Sequence, residues 1–129
     1  MGGKTRVVKV IGGRAEFDVS RDGKTLLRIK ITAEVDGIRR DYVITYGRRG
    51  ADNEVVGLAT AKADAPGGRE ADAERLAALI KALTDKEPRI RRMKNGRIMI
   101  ICGREHLDGF ARYVELAETI EKWLEETGR

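Results

Sequence analysis

Residues 25–46 constrain the fold more than any other stretch. Thr25 to Val35 (TLLRIKITAEV) alternates cleanly: Leu27, Ile29, Ile31, Ala33 and Val35 on one side, Arg28, Lys30, Thr32 and Glu34 on the other. Ile38 to Tyr46 (IRRDYVITY) follows directly after Asp36-Gly37. A period of two is that of a strand with one buried face, and Asp-Gly is a two-residue hairpin signal. Counting back across the turn pairs Val35 with Ile38, Glu34 with Arg39, Thr32 with Asp41, Ile29 with Ile44, and Arg28 with Thr45. In that register Ile29, Ile31, Tyr42 and Ile44 share the apolar face, and a slip of one residue would turn all of them to water. Such a face needs a cover.

The cover is encoded between Arg69 and Glu126, which reads as helix, hairpin, helix. Ala73, Leu76, Ala77, Ile80 and Leu83 recur at helical spacing, with Glu70, Asp72 and Glu74 early in the run, where negative charge suits the helix dipole. Glu87-Pro88 ends that run. The hairpin RIRRMKNGRIMIIC turns at Asn95-Gly96; a two-residue turn sets Arg92 opposite Met99 and Arg91 opposite Ile100. Arginines then fall on both faces of the first strand, as on a charged edge strand. From Glu105 to Glu126 one helix is expected, carrying Leu107, Phe110, Ala111, Val114, Ala117, Ile120 and Leu124. Tyr113, Leu116 and Trp123 widen its stripe, enough to cover a sheet or to meet a partner helix.

Upstream, Arg6 to Ile11 and Ala15 to Val19 are short strand-like runs split by Gly12-Gly13, and Asp22-Gly23 marks a turn. Gly47 to Glu54 reads as a polar loop, Val55 to Ala63 as a further strand, and Asp64 to Gly68 as its end. The expected architecture is one α+β domain over residues 1–129. Its mainly antiparallel sheet has two helices packed on one face, in the order strands, helix, hairpin, helix. The other face would carry Arg28, Lys30, Thr32, Arg39 and Thr45. No apolar run approaches the roughly 18 residues of a membrane span, and no signal-peptide stretch opens the chain. A soluble cytoplasmic protein without membrane contact is expected.

Charge is segregated. From Lys86 to Arg104 seven basic residues stand against Glu87 alone, and the first fifty residues hold twelve basic and six acidic side chains. From Glu105 to Glu126 seven acids stand against Arg112 and Lys122. A polyanion would meet the strands and avoid the last helix. Glutamine is absent, asparagine occurs only at positions 53 and 95, and charged residues make up 36% of the chain. That is a hyperthermophile's composition, so part of the charge is expected to serve stability, through pairs such as Glu34–Arg39.

Little in the chain points to catalysis. Cys102 is the only cysteine and His106 the only histidine, so a disulfide, a cysteine cluster or a histidine-rich metal site is not expected. His106 reads as a helix-start polar residue and Cys102 as a small buried side chain. Gly67-Gly68 precedes a helix, but no Lys-Ser/Thr follows, so the P-loop pattern is missing. Glu105, Asp108 and Glu115 read as the wet face of a helix. No cofactor, metal or catalytic residue is assigned, and the reading leans away from an enzyme.

Two resemblances bear on this reading. The run from Asp64 to Arg129, with ITAEVDGIRRDYVITYGRRG upstream, resembles the PaRep type-2b proteins, a repeat family of Pyrobaculum and related hyperthermophilic archaea. That likeness covers most of the chain and implies no particular chemistry. Strand pairs followed by helix, strand pair and helix are similar to one half of a LAGLIDADG homing endonuclease without its motif helix. The family's saddle of strands on DNA implies a nucleic-acid surface here. Its metal-binding acid ends an apolar helix that has no equivalent before the first strands, and Asp64 in GLATAKAD (57–64) is not assigned as a ligand.

The expected function is therefore a non-catalytic nucleic-acid-binding module, derived from a mobile element, with DNA or RNA as partner. Its expected contacts are Arg28, Lys30, Arg39, Arg40, Arg48, Arg49, Arg89, Arg91, Arg92, Lys94 and Arg97. The alternative is an interaction or oligomerisation domain, a homodimer for instance, using Tyr113, Leu116, Ile120 and Trp123 of the last helix.

Overall fold

The computed structural model describes residues 6–128. Six strands form one antiparallel sheet: β1 (Val8–Val19), β2 (Thr25–Val35), β3 (Ile38–Arg49), β4 (Glu54–Thr60), β5 (Arg89–Arg92) and β6 (Ile98–Cys102). Their spatial order is β1-β2-β3-β4-β6-β5. Helix α1 (Gly68–Thr84) connects β4 to β5. The chain then returns as β6, which inserts between β4 and β5 and leaves β5 on the edge. The α+β class with its antiparallel sheet is as the sequence indicates.

The β2–β3 register is the expected one at every pair from Val35↔Ile38 to Arg28↔Thr45. The turn residues Asp36 and Gly37 both have positive φ, as a type I′ hairpin requires. Four elements differ from the sequence reading. The runs flanking Gly12-Gly13 are one strand, β1, whose register against β2 shifts between Val10 and Gly12. A bulge absorbs the extra residue without ending the strand. Strand β3 runs to Arg49, so the loop before β4 shrinks to residues 50–53.

The second hairpin is one residue out of the expected register: Arg91 faces Met99 and Arg92 faces Ile98. Its turn holds three residues, not two. The Met93 carbonyl accepts the Gly96 N–H at 3.0 Å, and the Met93 N–H reaches the Arg97 carbonyl at 2.8 Å. Gly96, at φ 87°, supplies the left-handed position that closes a three-residue hairpin. The shift puts Arg92 on the helix side and Arg89 and Arg91 on the open side.

The last helical run is two helices, α2 (Arg104–Phe110) and α3 (Val114–Thr127), parted at an extended Tyr113. The physical reason lies in the phase of the apolar stripe. At about 100° per residue, Leu116 lies half a turn away from Leu107 on a straight helix. Leu107 and Phe110 are buried, and so are Leu116, Ile120 and Trp123, while Val114 between them is 86% exposed. Breaking the helix lets both sets enter one core.

All three helices cover the same side of the sheet. There Leu27, Ile29, Ile31, Tyr42, Ile44, Tyr46, Ile98 and Ile100 pack with Leu76, Leu79 and Ile80 of α1, Leu107 and Phe110 of α2, and Trp123 of α3. The indole N–H of Trp123 donates to the Thr25 carbonyl at 3.1 Å and pins α3 to the start of β2. No helix of the described residues is long and apolar enough to cross a membrane.

Candidate nucleic-acid interface

The side of the sheet away from the helices is open. One row of side chains crosses all six strands on it: Glu16, Arg28, Thr45, Leu58, Ile101 and Arg89, each directly opposite the next. By alternation from this row the open face carries Lys9, Arg14, Arg28, Lys30, Arg39, Arg49, Arg89 and Arg91, eight cations against the five carboxylates Glu16, Asp18, Glu34, Asp41 and Glu54. Between the flanking cations run partly exposed apolar side chains, Val43, Leu58, Met99 and Ile101.

Some of these cations are tied down. The Arg28 guanidinium bonds the Asp18 carboxylate, and Lys30 Nζ lies 3.7 Å from Asp41. The Val19 backbone N–H first, and then Arg28, hold the Asp18 carboxyl below its ordinary range. The Thr32 hydroxyl does the same to Asp41, with Lys30 adding to it. Arg39 faces Glu34 across the ladder, yet the salt bridge expected there does not form; Arg39, Arg49, Arg89, Arg91, Lys94 and Arg97 pair with no carboxylate among the described residues. At the β1 bulge the open face dips into a depression of about 320 Å³, lined by Gly12, Gly13, Arg14, Lys30, Thr32 and Asp41. The sequence reading missed Arg14 and Lys9 because β1, read as two short strands, had no assigned face.

Three expected contacts lie on the other side. Arg40 points toward α1, with Nε 3.3 Å from Asp72 Oδ1. Arg48 stacks over the Trp123 ring at 5.6 Å and donates from Nε to the Thr127 hydroxyl at 3.0 Å. Arg92 makes a bidentate pair with Glu70 of α1 at 2.7 and 2.8 Å, which lowers the glutamate's pKa and raises the arginine's. Each sits one residue from an open-face arginine, and the pleat sends neighbours to opposite faces. The alternative interface is also relocated. Leu116, Ile120 and Trp123 are at most 3% exposed and Tyr113 is half-buried, so the stripe of α3 is core and offers a partner little.

Between β3 and β4 the sheet splits. The two strands pair from Arg49↔Glu54 to Thr45↔Leu58 and then part. A cleft of about 250 Å³ opens there; Val43, Leu58, Ala59 and Leu76 line it together with Arg40, Tyr42 and Asp72. Asp72, 2% exposed, accepts the Lys62 N–H at 2.8 Å through Oδ2. Its Oδ1 lies 3.7 Å from Arg75 Nη2, which itself donates to the Pro66 carbonyl at 2.7 Å. The Arg40–Asp72 contact is close enough for charge attraction but misaligned for a hydrogen bond. Arg40 Nε, Tyr42 Oη, Asp72 Oδ1 and Arg75 Nε have no aligned hydrogen-bond partner among the described residues, and Arg40 and Arg75 meet Asp72 Oδ1 as charge partners only. Burial raises the Tyr42 pKa, so its hydroxyl keeps its proton.

The remaining polar candidates are structural. His106 is buried; its Nδ1 accepts the Gly103 N–H at 3.0 Å, so Nε2 carries the proton and donates to the Glu87 carbonyl at 3.0 Å. With Nδ1 so engaged, the Glu105 carboxylate 3.3 Å away is a neighbour and not an ion-pair partner. Burial pushes the Cys102 thiol up to about 12, far from a reactive thiolate. Asp64 is exposed, and among the described residues no three His, Cys, Asp or Glu side chains are grouped to hold a metal ion. No family model matches the chain, and no curated protein or solved structure is significantly similar to it.

Proposed function

We propose that this protein is a nucleic-acid-binding module that lays the open face of its sheet on the phosphate backbone. One observation carries the reading: every helix is on one side, and the uncovered side spreads cations over β1, β2, β3 and β5. Seven acids against two bases between Glu105 and Glu126 lie in the opposite layer, so the molecule presents one face to a polyanion and repels it from the other. Unpaired arginines suit this task because they reach phosphate without first breaking an internal pair. The core positions of Tyr42 and Tyr46 remove them as stacking platforms, so contact with the backbone dominates.

The test is fluorescence anisotropy with short duplex and single-stranded DNA and RNA at low and near-physiological salt. Binding is expected to weaken steeply as salt rises. The pair Arg89→Ala with Arg91→Ala should lower the slope of log affinity against log salt by about 2, one unit per lost cation. Arg92→Ala, on the helix side, should leave that slope nearly unchanged. Absence of binding to all four probes at low salt would overturn the reading.

A further inference from the structure

We infer that β1 is a docking edge for a second copy of this chain, so that two six-stranded sheets join as one across a twofold axis at Ala15, with or without nucleic acid. The two edges of the sheet differ. β5 is four residues long and carries three arginines, the protected kind of edge. β1 is twelve residues long, and among the described residues no strand pairs with its outer side. It also leaves Val10, Ile11, Phe17 and Val19 between 38 and 66% exposed. The backbone limits how two such edges can meet. The Ser20 N–H donates to the Lys24 carbonyl at 2.9 Å, so Ser20 bonds inward to the β2 side of the hairpin. Antiparallel pairs alternate, so Asp18, Glu16 and Arg14 also bond β2, while the N–H and C=O of Gly13, Ala15 and Phe17 point out from the edge. Val19, next in that outward series, turns its N–H to Asp18 Oδ1 at 2.9 Å and ends it. Outward positions must meet outward positions, which sets the twofold axis perpendicular to the sheet and both helix layers on one side.

Charge selects one register. An axis at Arg14, Glu16 or Phe17 sets Arg14 against Arg14, Glu16 against Glu16, or Glu16 against Asp18, all like charges. An axis at Gly13 draws the bulge into the seam. An axis at Ala15 sets Arg14 of each copy against Glu16 of the other. Within one chain Arg14 Nε lies 3.8 Å from Glu16 Oε1, and both side chains are more than half exposed, so both can turn across the seam. The same register sets Phe17 against Gly13, both on the helix side of β1 and opposite Leu27 and Ile31. Beside Gly13 lies a notch of about 40 Å³, lined mainly by Val10, Ile31, Leu83, Tyr113 and Leu116, where the partner's Phe17 can set its ring. Helix α3 leaves the seam open. Leu116 near its start packs beside Gly13, and Thr127 at its end meets Arg48 of β3, so the helix slants inward from the edge and leaves Phe17 and Val19 uncovered.

The experiment is sedimentation equilibrium of the full chain across the micromolar range, with melting temperatures as the control for folding. A dimer is expected. Arg14→Glu and Glu16→Arg should each weaken it about tenfold, because each sets like charges opposite on both sides of the axis. The double exchange, Arg14→Glu with Glu16→Arg, should restore it. Ala15→Pro removes an outward N–H that no strand of the same chain uses, so the fold should stand while the dimer is lost. A monomer at every concentration overturns the inference, and so do assemblies larger than a dimer. A dimer that survives Ala15→Pro in a folded chain overturns it as well. So does a dimer that the single exchanges leave unchanged or the double exchange fails to restore. If Ala15→Pro unfolds the chain, the charge exchange on exposed side chains decides alone.

Discussion

Arg39 and Arg40, Arg48 and Arg49, and Arg91 and Arg92 are three doublets that the sheet divides. Arg40, Arg48 and Arg92 turn inward to Asp72, Trp123 and Glu70; Arg39, Arg49 and Arg91 turn outward and meet no carboxylate among the described residues. Along each doublet the same side chain performs two tasks, joining layers on one face and presenting charge on the other. The difference teaches that positive charge in this chain cannot be read as one surface. Half of each doublet holds the helices in place, and the remainder defines what the open face can meet.

This contrast makes substitutions at adjacent positions informative. The largest effect should come from the inward anchor itself: Trp123→Ala removes a fully buried indole and its bond to the Thr25 carbonyl, and should lower stability by about 3 to 5 kcal/mol in urea denaturation. A loss well under that range would return α3 to the role of a docking helix. Next, Arg40→Ala should cost about 2 kcal/mol, because the buried Asp72 carboxylate loses one of its two neighbouring cations. Arg39→Ala should change stability by less than about 0.5 kcal/mol and instead weaken nucleic-acid binding. Equal destabilisation by both would erase the distinction between the faces.

A smaller contrast is expected at the second doublet. Arg48→Ala gives up its stack on Trp123 and its bond to Thr127, a loss of about 1 kcal/mol. Arg49→Ala should act on binding alone. The smallest effect concerns acid. Glu70, Asp18 and Asp41 all have lowered pKa values in the fold, through Arg92, the Val19 N–H and the Thr32 hydroxyl respectively. Their contribution is therefore present above the unfolded carboxylate values near ~4 and is lost as pH falls through the lowered folded values. Melting temperatures measured down through that window should fall, and Glu70→Gln should flatten part of the fall. A Glu70→Gln profile parallel to the parent would show that the Arg92 pair adds nothing.

The parts legible in the sequence were those written locally. The β2–β3 pairing followed from alternation and from Asp36-Gly37, because a two-residue turn fixes every pair behind it. The β5–β6 pairing was missed by one residue because Asn95-Gly96 serves equally in a two-residue and a three-residue turn, and local sequence does not choose between them. That single residue moved Arg92 from the open face to Glu70. The division of the last helix did have a signal, the half-turn mismatch between Leu107 and Leu116, hidden by a stripe broad enough to accept both. The cleft had none, since it arises where two strands cease to pair.

By itself the sequence determined the strand alternation, the first hairpin, the edge character of Arg89 to Arg92 and the separation of basic strands from an acidic C-terminal run. Period, turn chemistry and charge are properties of neighbouring residues, and a chain carries them before it folds. Only the tertiary structure decided which arginine of each doublet is paired, that Leu116, Ile120 and Trp123 are core, and that Arg40, Tyr42 and Asp72 line one opening in the sheet. Each of those outcomes depends on a partner tens of residues away, whose position is fixed by how the layers pack and not by the residue's own surroundings in the chain.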